Sequence, residues 1–444
     1  MFLESLPQLL AVSNPSQIFK PKIVIAPITQ NILLQVNTRS KIPSRFQKYF
    51  SRSAISKLFL LPIAVIIIIL VILLRPLIII KFQKFKFPFG HYILETEMIR
   101  LQCKSFNSDG FRKKVIVFIH PKNTNINSFA DSLWRRNLVI FRGELGWLIG
   151  EISNKLKLVN LKSNSSPIDF RGLLTSPNNP PTFSPSEIEA GTLFLQRTCQ
   201  DRKFICLNVR DKKYHENLGT KDRKQDYRNS NIESYVKAAE SLAESGYTVF
   251  RMGSLVERPL ISDHPNVIDY ATNGMRTDFL DFFLGANCFF CISTGSGWDN
   301  IPIIFRRPVM YVNYLPIFAP AALALPITIY PKILEDWTSS SALSFQEMTT
   351  KNIASSYKSA DYLDAGVKIR DLRSDELVES VTEMAQRVEG KFVEASEQKE
   401  IQLKLKHILS THPKLQPSPN YYPIRAQFAS CFLSRYPNFF DGLG

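Results

Sequence analysis

From Phe204 onward, short apolar runs alternate almost strictly with longer amphipathic stretches. Strand FICLNV ends at Arg210, and a charged loop runs on to Asn229. Helix NIESYVKAAESLAES carries Ile232, Tyr235, Val236, Ala239 and Leu242 on one face, with Ser230 or Asn231 placed to cap it and Gly246 to end it. Strands YTVFR and VIDY, helix TDFLDFFLGA, strand CFFCIS, a helix from Trp298 (WDNIPIIF) and strand VMYVN follow. This alternation predicts a parallel sheet with helices on both faces.

The first half of the chain reads similarly but less regularly. Leu77 to Phe82 is a first strand, KFPFG a turn, and HYILETEMIRLQ a helix beginning near His91. Strand KKVIVFIH (Lys113 to His120) comes next, then the helix-like DSLWRRNLVIF and ELGWLIGEISNKL. A stretch rich in Pro, Ser and Asn places a domain boundary between Ser163 and Ser186. The fold class expected is therefore α/β, two Rossmann-like lobes with a cleft between them, over residues 76–185 and 186–390. IRAQFASCFLSRYPNFF is read as a terminal helix within a helical tail, 391–444.

One run breaks the α/β pattern. Leu58 to Leu74 is apolar throughout, without a polar face. Its 17 residues would reach about 26 Å as a helix, slightly short of a hydrocarbon core of roughly 30 Å. We read 58–75 as a membrane helix; a full span and a helix that dips in and returns fit equally well. The run begins too late for a signal peptide, and no small-residue cleavage site follows it.

Charge sharpens this picture. Residues 1–90 hold 12 Lys and Arg against the single acid Glu4, so +11 of the net +16 lies there. Residues 1–57 form a basic tail with no sustained period. Anionic membrane lipids suit that segment, whereas a nucleic-acid partner gains no support from the body of the chain. The six cysteines are scattered, as in a reducing compartment. Cys288 and Cys291 form a C-x-x-C, but Phe289 and Phe290 between them mark a strand, and no second pair or matching histidines follow, so no metal site is expected. No cofactor is expected either.

In an open parallel sheet, ligands bind beyond the carboxyl ends of the strands. The residues found there are Arg210 and Asp211, then Arg251 and Gly253, and finally Ser293, Thr294, Gly295, Ser296 and Gly297. Arginines, hydroxyls and glycines together suit a diphosphate: the glycines admit a close ligand, and a helix from Trp298 presents amide N–H groups and its positive dipole end. Bland readings stand beside these. The glycines serve close packing, Arg210 pairs with Asp211 or Asp269, Arg228 and Asn229 cap a helix or close over a ligand, and Asp299 complements a helix dipole or holds sugar hydroxyls. In the first lobe His91 is either a capping residue or a general base.

DYRNSNIESYVKAAESLAESGYTVFRMGS and TDFLDFFLGANCFFCISTGSGWDNIPIIFRRPVMYVNY, with FGHYILETEMIRL and LNVRD, resemble a little-characterised family of bacterial glycosyltransferases encoded among surface-polysaccharide functions. The resemblance covers roughly Leu77 to Asn313. It implies a GT-B fold, with the acceptor on the first lobe and a nucleotide-diphosphate sugar on the second. It also makes Arg210 similar to the phosphate-binding arginine of fucosyltransferase-like enzymes. The activity expected is a metal-independent hexosyltransferase-type transfer to a lipid-linked or polysaccharide acceptor, with His91 and Arg210 catalytic and the body on the cytoplasmic side of the inner membrane. A nucleotide-sugar epimerase of the same fold and a catalytically silent membrane scaffold are the rivals.

Overall fold

A computed structural model describes residues 52–85, 88–106, 113–120, 127–156, 169, 172–175, 180–217, 223–317, 325–411 and 425–440. The basic tail up to residue 51 and most of the Pro-rich boundary stretch lie outside the described residues. The chain divides into Met1–Ser56 and Lys57–Gly444; the leading helix begins in the first unit, and the other described residues belong to the second.

That helix, α1 (Arg52–Leu73), precedes a small parallel sheet made of β1 (Ile78–Lys84), β2 (Lys113–Ile119) and β3 (Val139–Phe141), in the order β1-β2-β3. Helices α2 (Phe89–Phe106) and α3 (Ser128–Asn137) connect the strands, and α4 (Gly143–Lys155) follows. Strand periodicity sorts β2 cleanly: Ile116 and Phe118 join the main core with Tyr92 and Ile93 of α2, while Val117 and Ile119 face the other way, toward α1 and α4. The LVIF segment expected as helix is β3 from Val139, because its β-branched residues pair with β2 once α3 ends at Asn137.

After α5 (Pro185–Cys199), which Ser184 and Glu187 start with a reciprocal capping box, the chain builds a larger, wholly parallel sheet. Its strands are β4 (Phe204–Asn208), β5 (Thr248–Met252), β6 (Val267–Ile268), β7 (Phe290–Ser293), β8 (Val309–Tyr314), β9 (Ile327–Pro331) and a late addition described below. All residues of β4, β5, β7, β8 and β9 are buried, as continuous apolar runs must be when helices cover both faces. The covering helices include α6 (Val236–Glu244), α7 (Asp278–Asn287) and the five-residue α8 (Asn300–Ile304). A two-stranded antiparallel ribbon, β10 (Ile333–Asp336) with β11 (Val367–Arg370), leads into α9 (Ser374–Val388) and α10 (Ser396–Thr411).

The terminal segment departs from expectation. Gln427–Phe428 pairs in parallel with β9 as β12, the seventh strand, and only Ser430–Arg435 forms an α-helix, α11, before Pro437 opens a 3-10 turn. Pro437 has no N–H to continue the helix, and the sheet edge offers β12 the partners its backbone lacks.

The membrane-spanning expectation for 58–75 needs the same kind of correction. Among the described residues, no helix is long and apolar enough to cross a membrane. Instead Ala64, Ile68 and Val71 line one stripe of α1 and are buried against Phe82, Val117, Ile119, Leu148 and Ile149. That stripe ties the helix to β1, β2 and α4, between which Lys84 and Glu151 form a partly exposed ion pair, and a bilayer core does not accept open sheet edges or exposed charges.

The two sheets share one core. Phe129 of α3 meets Phe279 and Phe282 of α7 at centroid distances of 5.3 and 5.4 Å, and Phe183 stacks on it at 5.7 Å. Such ring pairs add roughly 0.5–1.5 kcal/mol each beyond their buried area.

Candidate functional site

Strand order decides where the site falls. The larger sheet runs β12-β9-β8-β7-β4-β5-β6, so the chain leaves β4 toward β5 and β6 on one side and returns to build β7, β8 and β9 on the other. The direction reverses between β4 and β7, which opens a crevice at their carboxyl ends. Arg210 follows β4, and Thr294 follows β7; the Arg210 N–H donates to Thr294 Oγ1 at 2.9 Å.

The 293–297 loop is held by its own polar groups. Buried Asp299 accepts from Ser293 Oγ at 2.8 Å and from Ser296 N at 2.7 Å. Ser293 Oγ in turn accepts from Gly295 N at 3.1 Å, and Ser296 Oγ accepts from Asn208 Nδ2 at 2.6 Å and Trp298 N at 3.1 Å. Three of the amides expected to greet a ligand, those of Gly295, Ser296 and Trp298, therefore already donate within the loop. The helix expected from Trp298 begins at Asn300 and is only five residues long. Burial pushes the Asp299 carboxyl up to about 6, against the pull of those two hydrogen bonds.

Both glycines have packing reasons. Gly295 sits at φ +81°, and a Cβ there would come within 2.6 Å of the Tyr314 ring. A Cβ on Gly297 would meet Gly90 N at 2.9 Å, so the loop carries the start of α2 directly against it.

Positive charge, by contrast, is left without an obvious protein partner. The Arg228 guanidinium donates through Nη2 to the Gly295 carbonyl and through Nη1 to Gln225 at 3.2 Å, and among the described residues neither it nor Arg210 forms an ion pair. Arg210 is held down to about 10, first by burial and then by the neighbouring charge of Arg228. Among the described residues, Arg210 Nε, Arg228 Nε, Asn229 Oδ1, Ser230 Oγ and Tyr227 Oη are all buried and lack hydrogen-bond partners. Unpaired buried polar atoms are costly, and here they cluster on Arg210 and on the consecutive residues Tyr227, Arg228, Asn229 and Ser230.

A third cation stands behind them. Lys332, which follows β9 and is 3% exposed, donates to the Asn229 carbonyl and to Asp371 Oδ1, both at 2.6 Å. Burial lowers its pKa, and the charge of Arg210 adds to the lowering. Sequence reading missed it; its one signal is a lysine set directly after the apolar strand ITIYP.

The other expected residues are placed as follows. Arg251 lies inside β5, 1% exposed, paired with Asp269 at 3.2 Å and bonded to the Arg258 carbonyl at 3.0 Å, so its charge is engaged by the protein itself. Asp211 accepts from Lys213 N and Glu257 N at 2.9 and 2.8 Å, tying its own loop to the one after β5. Gly253, at φ +154°, packs beside Val256. His91, in the first turn of α2 next to Gly90, places Nδ1 at 2.6 Å from Oε1 of buried Glu95. The ring itself is 40% exposed, so Nε2 can meet a substrate while the carboxylate orients it.

No protein-family model and no curated protein matches the chain. Among solved structures, a glycosyl transferase family 9 protein from Veillonella parvula shares 10% identity at a TM-score of 0.36, over 68% of this chain and 96% of its own. The ADP-heptose LPS heptosyltransferase II of E. coli shares 12% identity at 0.32, over 56% and 89%. An iron-containing dodecameric heptosyltransferase, TibC, in complex with ADP-D-β-D-heptose, shares 10% at 0.26, over 54% and 60%.

Proposed function

We propose that the protein is a glycosyltransferase of GT-B type that moves a sugar from a nucleotide-diphosphate donor to a lipid-linked or polysaccharide acceptor, at the cytoplasmic face of the inner membrane. One observation carries the reading: two arginines, Arg210 and Arg228, are gathered at the switch point of a parallel sheet where, among the described residues, no carboxylate is bonded to either and five buried polar atoms are unpartnered.

The chemistry follows from that charge. As the bond between the anomeric carbon and the diphosphate breaks, negative charge grows on the leaving oxygen. Guanidinium groups already fixed there stabilise it without waiting for solvent to reorganise. The acceptor hydroxyl must lose a proton as it attacks the anomeric carbon. His91 Nε2 takes it, and Glu95, bonded to Nδ1, stabilises the imidazolium that forms. The contact of Gly90 with Gly297 keeps the start of α2, and so His91, beside the loop that flanks the two arginines.

Transfer from UDP-, GDP- and ADP-sugars to lipid-linked and polysaccharide acceptors tests the reading. His91→Ala should lower kcat by about 10²–10⁴-fold while a nucleoside diphosphate still raises the melting temperature. Conversion of a donor sugar with no acceptor present would point to an epimerase instead. Unchanged turnover in His91→Ala would remove the histidine from the mechanism.

A further inference from the structure

The buried stripe of α1 accounts for Ala64, Ile68 and Val71; the rest of the helix surface is another matter. Phe59, Leu61, Ile63, Val65, Ile66, Ile69, Leu70, Ile72 and Leu73 are all exposed, and Leu74 and Leu77 continue the patch through the turn into β1. Ile66, Leu73 and Leu77 are 58%, 68% and 75% exposed. A contiguous apolar surface of this kind marks a contact with something else.

Charge identifies the occupant. Between Glu4 and Glu95 the sequence contains no Asp or Glu, while Arg52, Lys57 and Arg75 lie on α1 or directly after it. A second copy of this chain would bring one such cationic region against another. An anionic surface that is apolar beneath satisfies both halves of the pattern, and a bilayer is such a surface.

We propose that the exposed face of α1 is a docking face for an anionic lipid bilayer, with the helix lying in the plane of the headgroup boundary rather than crossing it. This rests on the membrane assignment made above and adds its geometry. α1 is packed onto the outer face of the first sheet through Val117, Ile119 and Phe82, opposite the face that carries α2. Its last turn runs through residues 74–77 straight into β1. With no long linker between them, docking fixes the height and tilt of the first sheet over the membrane, and with it the approach of a lipid-borne acceptor to His91.

The full chain should co-sediment with vesicles of phosphatidylcholine mixed with phosphatidylglycerol, bind vesicles of phosphatidylcholine alone far less, and release as salt rises. Ile66→Glu with Ile69→Glu places two charges on the exposed face and should cut binding to the mixed vesicles by about tenfold or more. Its melting temperature should not change, because both side chains are exposed. Arg75→Gln should cost about fivefold on mixed vesicles only. Equal binding to both vesicle types, undiminished binding by the double variant, or a dimer that the double variant dissolves in place of vesicle binding would each overturn the proposal. Nucleoside diphosphate binding measured on the same preparations separates the two claims. Loss of docking with that binding intact leaves the transferase reading standing, and the reverse result leaves the docking standing.

Discussion

Gly90 and Gly297 meet backbone to backbone, each placed so that a Cβ on either would come within 2.9 Å of a main-chain atom of the other. One begins the helix that carries His91, and the other closes the loop after β7. Because both surfaces are main chain, neither can swing aside as a long side chain would. Gly297→Ala should therefore destabilise the fold by about 1–3 kcal/mol and lower kcat for transfer as α2 is pushed away from the loop. Melting curves and single-turnover rates measured together check this; a stable variant with full activity would contradict it.

Under the proposed function, Lys332 acts at one remove from the donor. Its two 2.6 Å bonds tie the Asn229 carbonyl to Asp371, so it positions the segment that bears Arg228. Lys332→Met should raise KM for the donor by about tenfold, the size of a lost charge-assisted hydrogen bond, with kcat changed much less. Lys332→Arg should recover part of the loss. An equal fall in kcat and unchanged KM would assign the lysine to stability or chemistry instead.

Asp299 supplies a pH signature with a definite sign. Its carboxyl is raised from an ordinary 3.8 to about 6 in the folded protein. The folded state thus holds its proton more tightly than the unfolded chain. The resulting stabilisation is complete below pH 3.8 and is lost as pH rises through about 6. Relative to Asp299→Asn, the wild type should gain about 2–3 kcal/mol between pH 7 and pH 4. Denaturant titrations of both proteins across that range test it. A constant difference would mean the carboxylate is better solvated than its burial implies.

Much of the larger sheet was legible because fully buried parallel strands leave unbroken apolar runs, and FICLNV, YTVFR, CFFCIS and VMYVN all became strands. The loop after CFFCIS was legible as a place of close approach for the same reason: small residues interrupt an apolar run only where something must fit. Strand order was not legible, since an alternating pattern is the same for any order, and only the order shows that Arg210 and Thr294 flank the reversal. Side-chain pairing was hidden too. Nothing in YTVFR distinguishes an arginine aimed at a ligand from one locked to Asp269, and nothing in STGSG announces that Asp299 and the serines occupy the loop amides. The apolar run at 58–74 has no polar residue to mark its orientation, so its division into a buried stripe and an exposed face depends on what it packs against.

The central claim is that Arg210 and Arg228 are gathered to receive a diphosphate, and calorimetric titration of UDP, GDP and ADP into the wild type, Arg210→Gln and Arg228→Gln addresses it most directly. At least one nucleotide should bind the wild type, and each variant should bind it about 10–100-fold more weakly. Removing one of two mutually repelling buried charges should leave the melting temperature unchanged or raise it. Failure of all three nucleotides to bind, or equal affinity in wild type and both variants, would contradict the account.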